Sequence, residues 1–469
     1  MSDKRWLLAG ILVAGALVAG IVINNNYETN NITSTSALDI DNGDLKINWE
    51  RYSTTDIELA EDLTITASGI YHITGSLSDG SILVNAGSDG VVKLILDNVS
   101  IKNSSGPAIS CVTGDDLVIE LVGENYLEDG SSYAADLDED VNGTIYSKAD
   151  LIFEGNGELN LIANYQDGIV GKDDLKFNSG TYHITATDDG IRGKDSVYIV
   201  DGTFDVVSKG DSIKSTNETD AGKGFVLIEK GNITIASGDD GIRAARTLMI
   251  QGGNIDITKS YEGLEAQKIT INDGEVSVIA SDDGINAGDS SDNTSNNPMA
   301  GDANCELTFN GGTTYVNASG DGVDSNGYIY FNGGKVIIDG PTNNGNGALD
   351  SGISIIMNGG EVIAVGSSGM AETLGSTSSV YNASIYFTSS QKAGTKIEIK
   401  NSNDETIIEH TSAKAFNHMS VGTVYFKLGE TYTIYLDGTK YQSFTVGDIV
   451  TTVGNSNSNN MMPGGQNRR

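Results

Sequence analysis

The chain has 469 residues, and its 64 Asp and Glu against 28 Lys and Arg give a formal net charge of −36. A charge of this sign argues against a nucleic acid as the partner, because phosphate backbones are held by clustered Lys and Arg. The 59 Gly, 4 Pro and 38% hydrophobic residues suit a thin, turn-rich β architecture with a narrow core.

Residues 1–31 have the pattern of a membrane anchor or signal segment with a polar spacer. Lys4 and Arg5 precede an apolar run of 18 residues, Trp6–Ile23, which is barely long enough to span a bilayer. The positive flank predicts a cytoplasmic N-terminus and an extracellular remainder. Cleavage after Ala16 would instead release a secreted protein. We therefore expect a monomeric extracellular protein, held at the cell surface by this helix unless it is cleaved.

A repeated phrase dominates the stretch from Tyr165 to Val323, as in TDDGIRGKDSVYIVDGTFDVVSK and SGDDGIRAARTLMIQGGNIDITKS. One acid marks each repeat: Asp167, Asp189, Asp211, Asp240, Glu262, Asp283 and Asp321. Successive markers are 22, 22, 29, 22, 21 and 38 residues apart, and the two long steps contain polar inserts. A fixed period in the twenties indicates stacked supersecondary units, each of which needs a neighbour to bury its apolar side.

Each repeat contains two short alternating runs, for example Leu175–Phe177 and Tyr182–Thr185. Alternation of Ile, Val, Tyr, Phe and Thr predicts strands, and no run carries the 3.6-residue stripe of a helix. Asp-Gly and Gly-Gly pairs between the runs supply the tight corners. We therefore predict that residues 38–380 form a right-handed parallel β-helix, with one coil per repeat.

Beyond residue 380 the repeat spacing disappears. We predict antiparallel strands at Ile385–Phe387, Lys396–Ile399, Thr406–Glu409, Thr423–Leu428, Thr431–Leu436 and Gln442–Val446. Residues 383–453 are expected to form a small β cap, because an open β-helix end exposes unpaired backbone and apolar core. The Asn- and Ser-rich tail, residues 454–469, is predicted to be disordered.

Stacked coils lie about 4.8 Å apart, so the marker acids should form a column of carboxylates. Charges about 5 Å apart repel by roughly 1–3 kcal/mol, which bound cations would relieve. Hard oxygen donors in an irregular cage favour calcium. The candidate Ca²⁺ ligands are Asp167, Asp188, Asp189, Asp211, Asp239, Asp240, Glu262, Asp282, Asp283 and Asp321, with Asp173 and Asp195 in a second column. The alternative is turn chemistry alone, since Asp-Gly is a good turn dipeptide without any metal.

Basic residues follow or neighbour the marker acids. Those expected beside the column as contacts to a bound polymer are Lys172, Arg192, Lys194, Lys214 and Arg243. These side chains either neutralise the carboxylates through ion pairs or, together with bound cations, grip an anionic polymer. The sequence contains no nucleophile elbow, no phosphate-binding loop and no Cys-x-x-Cys pair, so no catalytic residue is assigned.

The phrases DDGIRGKDSVYI, SGDDGIRAARTLMIQGGNIDI and SDDGINA resemble the calcium-binding, β-helical carbohydrate-binding domain family of microbial cell-surface proteins. Studied relatives in that family bind polygalacturonate-like acidic polysaccharide, and its fold is similar to that of pectate-lyase-type polysaccharide lyases. The resemblance covers roughly Leu38–Val453 and implies that the acids of these coils are calcium ligands. Two repeats depart from this phrase, because Ser212 replaces Gly in one and Glu262 replaces Asp in the other.

Three functions are consistent with these features. The leading interpretation is a cell-surface protein that binds acidic polysaccharide, such as the polygalacturonate of pectin, through calcium and without catalysis. The second is a calcium-dependent polysaccharide lyase acting by β-elimination, in which Lys172, Lys194 or Lys214 would have to serve as the base. The third is an adhesin-like structural protein of the cell surface.

Overall fold

The computed structural model describes residue 38 and residues 47–138, 140–288 and 301–455. These residues form strands and turns, with one three-residue 3-10 helix, Trp49–Arg51, and no α-helix among them. The predicted all-β class is confirmed. The predicted membrane segment, residues 1–31, and most of the predicted disordered tail lie outside the described residues. Within the described ones, no helix has the length and apolar character needed to cross a bilayer.

The described residues contain 41 strands, which lie between Thr54 and Val453. Those before the first marker acid are β1 (Thr54–Leu59), β2 (Leu63–Ile65), β3 (Gly69–Leu77), β4 (Ile82–Asn85), β5 (Val91–Asp97), β6 (Ser100–Asn103), β7 (Ile109–Thr113), β8 (Asp116–Val122), β9 (Glu124–Asp129), β10 (Gly143–Ser147), β11 (Asp150–Gly155) and β12 (Glu158–Ala163). Those of the marked repeats are β13 (Asp167–Gly171), β14 (Asp174–Phe177), β15 (Thr181–Ala186), β16 (Ile191–Gly193), β17 (Ser196–Ile199), β18 (Thr203–Val207), β19 (Ile213–Ser215), β20 (Phe225–Ile228), β21 (Asn232–Ala236), β22 (Ile242–Ile250), β23 (Asn254–Ser260), β24 (Leu264–Ile271), β25 (Glu275–Ala280), β26 (Ile285–Ala287), β27 (Glu306–Phe309), β28 (Thr313–Ala318) and β29 (Val323–Ser325). The remainder are β30 (Tyr328–Phe331), β31 (Lys335–Asp339), β32 (Leu349–Ser351), β33 (Ser354–Met357), β34 (Glu361–Gly366), β35 (Asn382–Gln391), β36 (Lys396–Lys400), β37 (Thr406–Thr411), β38 (Phe416–Thr423), β39 (Thr431–Leu436), β40 (Thr439–Thr445) and β41 (Val450–Val453).

Most strands pair in parallel with the strand one coil later in the chain. In β13, β16 and β19, Ile169 lies opposite Ile191, and Ile191 lies opposite Ile213. The alignment continues through β22, β24, β26, β29 and β32. Another strand of each coil stacks in the same way, as in β12, β15 and β18. This large, mostly parallel sheet is compatible with the predicted parallel β-helix, and it places equivalent residues of successive coils in columns.

The inward-facing side chains form one apolar core that extends from Leu59 to Val380. Alternate residues of a strand are buried, as in β15, where Tyr182 and Ile184 face inward. Aromatic members stack between coils, and the rings of Phe153 and Phe177 are 4.9 Å apart and nearly parallel. Full burial of one large apolar side chain stabilises the fold by roughly 1.5–3 kcal/mol. A one-residue slip would expose the whole column, so this core fixes the register of the outward-facing residues.

The glycine that follows most marker acids permits a tight corner. A Cβ at Gly284 would lie 2.2 Å from Cγ1 of Val316 and 2.5 Å from the carbonyl oxygen of Gly322 on the next coil. A side chain at this point would push neighbouring coils apart, so close approach of the backbone selects glycine here. Each marker acid therefore lies at the start of, or just before, the strand whose pairing aligns successive coils.

The pairing changes near the C-terminal end. β34 and β35 are both antiparallel to β38, whereas β41 joins β35 in parallel. A separate antiparallel sheet has the strand order β37-β36-β39-β40. The last described strand, β41, was not predicted from the sequence, and its parallel pairing adds to the antiparallel strands that were expected. The boundaries at residues 380 and 383 stay predictions.

The predicted strand Thr423–Leu428 is also wrong. β38 ends at Thr423, and the residues after it form a turn in which Val424 and Tyr425 are 56% and 61% exposed. The apolar alternation of this segment matches a strand, but in the described part of the chain no strand pairs with it. Phe416–Thr423, with its Asn and His, pairs with β34 and β35 on either side instead.

Candidate functional site

The marker acids lie in one column, which we call the acid column: Asp167, Asp189, Asp211, Asp240, Glu262, Asp283 and Asp321. Each precedes by two residues a buried Ile, Leu or Val that is aligned with its equivalents on the neighbouring coils. Because the register fixes those apolar residues, it also brings the acids of successive coils together.

Backbone amides bridge successive rungs of the acid column. The N–H of Asp189 donates to Oδ1 of Asp167 at 3.1 Å. The N–H of Asp211 donates to Oδ1 of Asp189 at 2.9 Å, and that of Asp240 to Oδ1 of Asp211 at 2.9 Å. A hydrogen bond to a carboxylate favours its ionised form. The backbone therefore offsets part of the repulsion between the carboxylates of successive coils.

The same hydrogen bonds from backbone N–H to carboxylate recur beyond Glu262, where the pattern differs. The N–H of Asp321 donates to Oδ1 of Asp283, and the N–H of Gly347 donates to Oδ1 of Asp321, both at 2.5 Å. Glu262, whose side chain is one methylene longer, accepts a hydrogen bond from Nδ2 of Asn286 at 3.1 Å. The replacement of Asp by Glu at this rung thus alters the pattern of contacts along the column.

The residue three positions after each marker, or after the equivalent Gly347, belongs to a second column. We call it the partner column, and its aligned members are Val170, Arg192, Lys214, Arg243, Glu265, Asn286, Asp324 and Asp350. Its sign changes along the molecule. We call the coils up to Arg243 the basic half and those from Glu262 onward the acidic half.

Ion pairs join the two columns in the basic half. Nη2 of Arg192 lies 2.7 Å from Oδ2 of Asp167, and Nζ of Lys214 lies 2.7 Å from Oδ2 of Asp211. The same ammonium is 3.5 Å from Oδ2 of Asp189. These carboxylates are almost fully buried, so each pair is partly desolvated and differs from an exposed surface pair of little energetic value.

Burial and charge act against each other in this half. Burial raises the pKa of Asp167 to about 7, although the charge of Arg192 opposes the rise. Burial disfavours the charged form of Lys214, but the charges of Asp211 and Asp189 outweigh it and raise its pKa. A general base needs a lowered pKa. Lys214 is therefore unsuited to the role of base that a lyase would require.

Arg243 lies at the boundary between the halves. Its Nη1 is 3.8 Å from Oδ2 of Asp240, and its Nε is 3.0 Å from Oε2 of Glu265. Asp240, Glu262 and Glu265 each offer an oxygen within 4.8 Å of the others, and we call them the junction cluster. This cluster therefore already has one guanidinium beside it.

The acidic half contains a second group of the same kind. Asp283, Asp321 and Asp324 each offer an oxygen within 4.8 Å of the others, and we call them the C-terminal cluster. Burial and the charges of neighbouring carboxylates, that of Asp350 first, raise the pKa of Asp324 to about 8. Burial, followed by the same neighbouring charge, also raises the pKa of Glu372 to about 7. Like charges thus make full ionisation of this cluster costly.

The junction cluster shows the same effect. Burial, followed by a hydrogen bond with Glu265, raises the pKa of Asp240 to about 9. Burial raises the pKa of Glu262 to about 7, with the hydrogen bond from Asn286 opposing the rise. Carboxyl groups that are costly to ionise in the protein alone become favourable anions when a cation lies among them.

The donor set of the acidic half fits calcium. It consists of carboxylate oxygens together with Oδ1 of Asn286, a buried atom that accepts no hydrogen bond within the described residues. Calcium takes six to eight oxygen ligands from carboxylates, amide carbonyls and water in flexible geometry. In the basic half, Arg and Lys already occupy the equivalent positions, so the fit is poor there.

The predicted second column does not join the acid column. Asp173 groups with Asp150 and Asp174, whose oxygens all lie within 4.8 Å of one another. Nζ of Lys223 lies 3.2 Å from Oδ2 of Asp174 and 3.8 Å from Oδ2 of Asp195. A lysine from a polar insert thus supplies positive charge at this group.

The three remaining predicted ligands stand immediately before marker acids. Asp188 and Asp239 are exposed, and Asp282 is half-buried. Asp239 offers an oxygen within 4.8 Å of those of Asp211 and Asp240. Their positions are compatible with outer ligands, but their role as ligands stays a prediction.

The structure brings together only part of the predicted polymer contacts. Arg192, Lys214 and Arg243 share the partner column, whereas Lys172 and Lys194 lie outside it. Nζ of Lys172 is 3.8 Å from Oδ2 of Asp140, and Nζ of Lys194 is 3.6 Å from Oδ1 of Asp195. Arg192, Lys214 and Arg243 form ion pairs with the acids, as expected if basic residues neutralise the carboxylates.

The twelve candidate ligands omit Glu265, Asn286 and Asp324, although the sequence also indicates that Asp324 and Asp350 extend the acidic columns. A signal for them was present in the fourth letter of the repeated phrase, which runs DGIV, DGIR, DSIK, DGIR, EGLE, DGIN and DGVD. That letter is the partner column, and its change from basic to acidic marks the start of the acidic half. Glu372 has no such signal, because it lies outside the repeats.

The fold and these columns define a repetitive β protein that aligns ionisable side chains along successive coils. The sequence profile of a family described as "Carbohydrate-binding domain-containing protein" matches residues 59–339, more than half of the chain. The chain belongs to this carbohydrate-binding domain family. The resemblance is thereby confirmed at the family level, and its calcium and polygalacturonate parts stay predictions. The matched range contains the whole acid column.

Two similar proteins add detail. A "Carbohydrate-binding domain-containing protein" of Acetivibrio thermocellus is 34% identical over 129 residues, which are 27% of this chain and 45% of that protein. The chain thus spans about half the length of the curated relative it matches. A solved structure, of a polysaccharide lyase-like protein from C. thermocellum as a gadolinium derivative, has 28% identity and a TM-score of 0.42, and covers 47% of this chain and 91% of that chain.

Proposed function

We propose that this protein binds acidic polysaccharide of the polygalacturonate type at the cell surface, through calcium and without catalysis. The observation that carries the proposal is the acidic half, where aligned carboxylates face a partner column that is itself acidic. Membership of a carbohydrate-binding domain family supports a polysaccharide partner. The charge of the clusters would repel an acidic polymer unless cations lie between them.

The C-terminal cluster is the principal calcium site in this proposal. Asp283, Asp321 and Asp324 would hold the ion, with the free amide oxygen of Asn286 as a neutral ligand. The junction cluster is the weaker candidate, because Arg243 already lies beside it. Bound calcium supplies a positive charge whose coordination shell a sugar carboxylate can complete. The chain's own residues orient that carboxylate along the line of the coils.

The proposal includes an architecture that suits a linear polymer. Parallel crossover connections are right-handed in nearly all proteins, so we infer a right-handed β-helix over residues 38–380. Residues 383–453 would cap its end, and residues 1–31 would anchor it to the membrane or direct its secretion. A stack of coils offers a repeating chain a surface that itself repeats about every 4.8 Å.

The test is retention of the protein on immobilised polygalacturonate. We expect retention in calcium, release on chelation, and no retention on the fully methyl-esterified polymer, which lacks the carboxylate. The solution is assayed in parallel for the ultraviolet absorbance of unsaturated products. Formation of those products would replace the proposal with the lyase. Absence of retention in calcium would favour the adhesin-like alternative.

A further inference from the structure

A third line of residues runs beside the acid column, one position before each marker. Backbone N–H to carbonyl hydrogen bonds of 2.8 to 3.3 Å link its members from coil to coil. The members are Gln166, Asp188, Gly210, Asp239, Tyr261, Asp282 and Gly320. Of these seven residues, Tyr261 alone is aromatic.

Tyr261 is exposed and held in place. Tyr261 is 48% exposed. Its N–H donates to the carbonyl oxygen of Asp239 at 2.8 Å, and its carbonyl accepts from the N–H of Asp282 at 2.9 Å. The backbone of Tyr261 is therefore fixed by the coils on both sides, while much of its side chain faces solvent.

The position of Tyr261 coincides with the change of sign in the partner column. It immediately precedes Glu262, the first rung of the acidic half, and the next coil carries Asp283 of the C-terminal cluster. An aromatic ring among carboxylates adds nothing to the apolar core. A pyranose ring, however, has apolar C–H faces, and sugar sites combine an aromatic surface with a few polar groups that fix orientation.

We propose that Tyr261 is the stacking residue for one uronate ring of the polysaccharide, and that it sets that sugar beside the C-terminal cluster. The inference rests on the proposed function and assigns a specific contact within it. The ring supplies apolar contact to one sugar face, while the carboxylate of the sugar turns toward the clustered acids and their cation. Tyr261 and Asp283 lie on successive coils, about 4.8 Å apart along the stack, so the stacking contact and the cation contact fall on neighbouring coils.

The test compares the full-length protein with Tyr261→Ala and Tyr261→Phe. Calcium binding is measured by equilibrium dialysis, and affinity for polygalacturonate is measured in saturating calcium. We expect Tyr261→Ala to bind calcium as the wild type does and to lose about three- to tenfold in polymer affinity, as for one lost aromatic contact. Tyr261→Phe should retain the affinity, because it keeps the ring and removes only the hydroxyl.

Tyr425→Ala is the matched control, since Tyr425 is 61% exposed on the C-terminal turn. It should leave polymer affinity unchanged. Equal affinity of Tyr261→Ala and the wild type would overturn the stacking role while leaving the proposed function standing. An equal loss in Tyr261→Phe and Tyr261→Ala would assign the effect to the hydroxyl and overturn it too. Failure of the wild type to bind the polymer in calcium would overturn both proposals.

Discussion

The basic and acidic halves share one backbone design and differ in a single repeated position. In the basic half, Arg192 lies 2.7 Å from Asp167, and Lys214 lies 2.7 Å from Asp211. In the acidic half, the aligned positions hold residues such as Glu265 and Asp324. The coils, the corner glycines and the bonds from backbone N–H to carboxylate recur in both halves. The ion chemistry of a coil is therefore set by one side chain and not by the fold.

This difference indicates how a repeat protein places a site along its length. A coil with a basic partner carries its own counter-ion and is structurally complete. A coil with an acidic partner accumulates charge that burial makes costly, which a calcium ion from solution can offset. We therefore assign stability to the basic half and binding to the acidic half.

The largest effect expected from this comparison is the pH dependence of stability without calcium. The raised pKa values of Asp324, about 8, and Glu262, about 7, exceed those of the unfolded chain. The folded state therefore holds extra protons above about pH 4, and its stability falls as the pH rises toward 8. Each such carboxyl contributes up to about 1.4 kcal/mol per pH unit within its window.

Urea unfolding in chelator at pH 5 and pH 8 measures this fall. Saturating calcium at pH 8 should restore stability, because it binds only the folded state. Asp324→Asn should show a shallower pH slope in chelator. Because burial also raises the pKa of Asp167 in the basic half, the Asp324→Asn variant is the measurement that separates the halves. An unchanged pH slope in Asp324→Asn would refute the assignment to the acidic half.

Conversion of one acidic coil into a basic one should abolish its calcium site. Asp324→Lys places a cation where Lys214 and Arg243 stand in the basic half. The local charge changes by two units, and each unit about 4 Å away is worth roughly 1–4 kcal/mol, so affinity should fall at least about 30-fold. Titration calorimetry with calcium measures the loss. Asp205→Lys, on an exposed strand position away from both columns, is the control, and equal losses in the two variants would contradict a local site.

Removal of a basic residue of the partner column should destabilise the fold without changing the affinity for calcium. Arg192→Ala leaves Asp167, which is 1% exposed, without its guanidinium. Breaking a buried pair in this way costs about 3 kcal/mol. Urea unfolding at pH 8 measures the cost, and calorimetry should give unchanged calcium affinity. A loss of calcium binding in this variant would erase the distinction between the halves.

The smallest effect is expected for Lys194→Ala, two residues further along the same chain segment. Its side chain is 52% exposed and lies 3.6 Å from Asp195 outside the columns. Exposed pairs of this kind contribute about 0–1 kcal/mol. Stability and calcium affinity should both remain near those of the wild type. A change as large as that of Arg192→Ala would show that the columns do not separate structural from peripheral basic residues.

The sequence was sufficient to predict the alignment of the acids. A period of 22 residues between Asp167 and Asp189, with Ile two residues after each, determines which side chains stack. Burial of the apolar side allows only one register. The all-β class and the parallel pairing followed from the same pattern.

The contacts within the columns could not be predicted in this way. The bond from the N–H of Asp189 to Oδ1 of Asp167 depends on a corner geometry that periodicity does not specify. The fourth letter of the repeated phrase marks Asp324, but its grouping with Asp283 and Asp321 depends on side-chain positions that periodicity does not specify. The turn after Thr423 has the alternation of a strand, and only the absence of a described neighbour distinguishes it.

The central claim is that calcium belongs to the acidic half alone. Anomalous diffraction from crystals grown in calcium tests it most directly, because it locates each ion. We predict a calcium peak among Asp283, Asp321 and Asp324, and none between Asp167 and Asp189. Calcium at the rungs of the basic half, or an acidic half without calcium, would contradict the account.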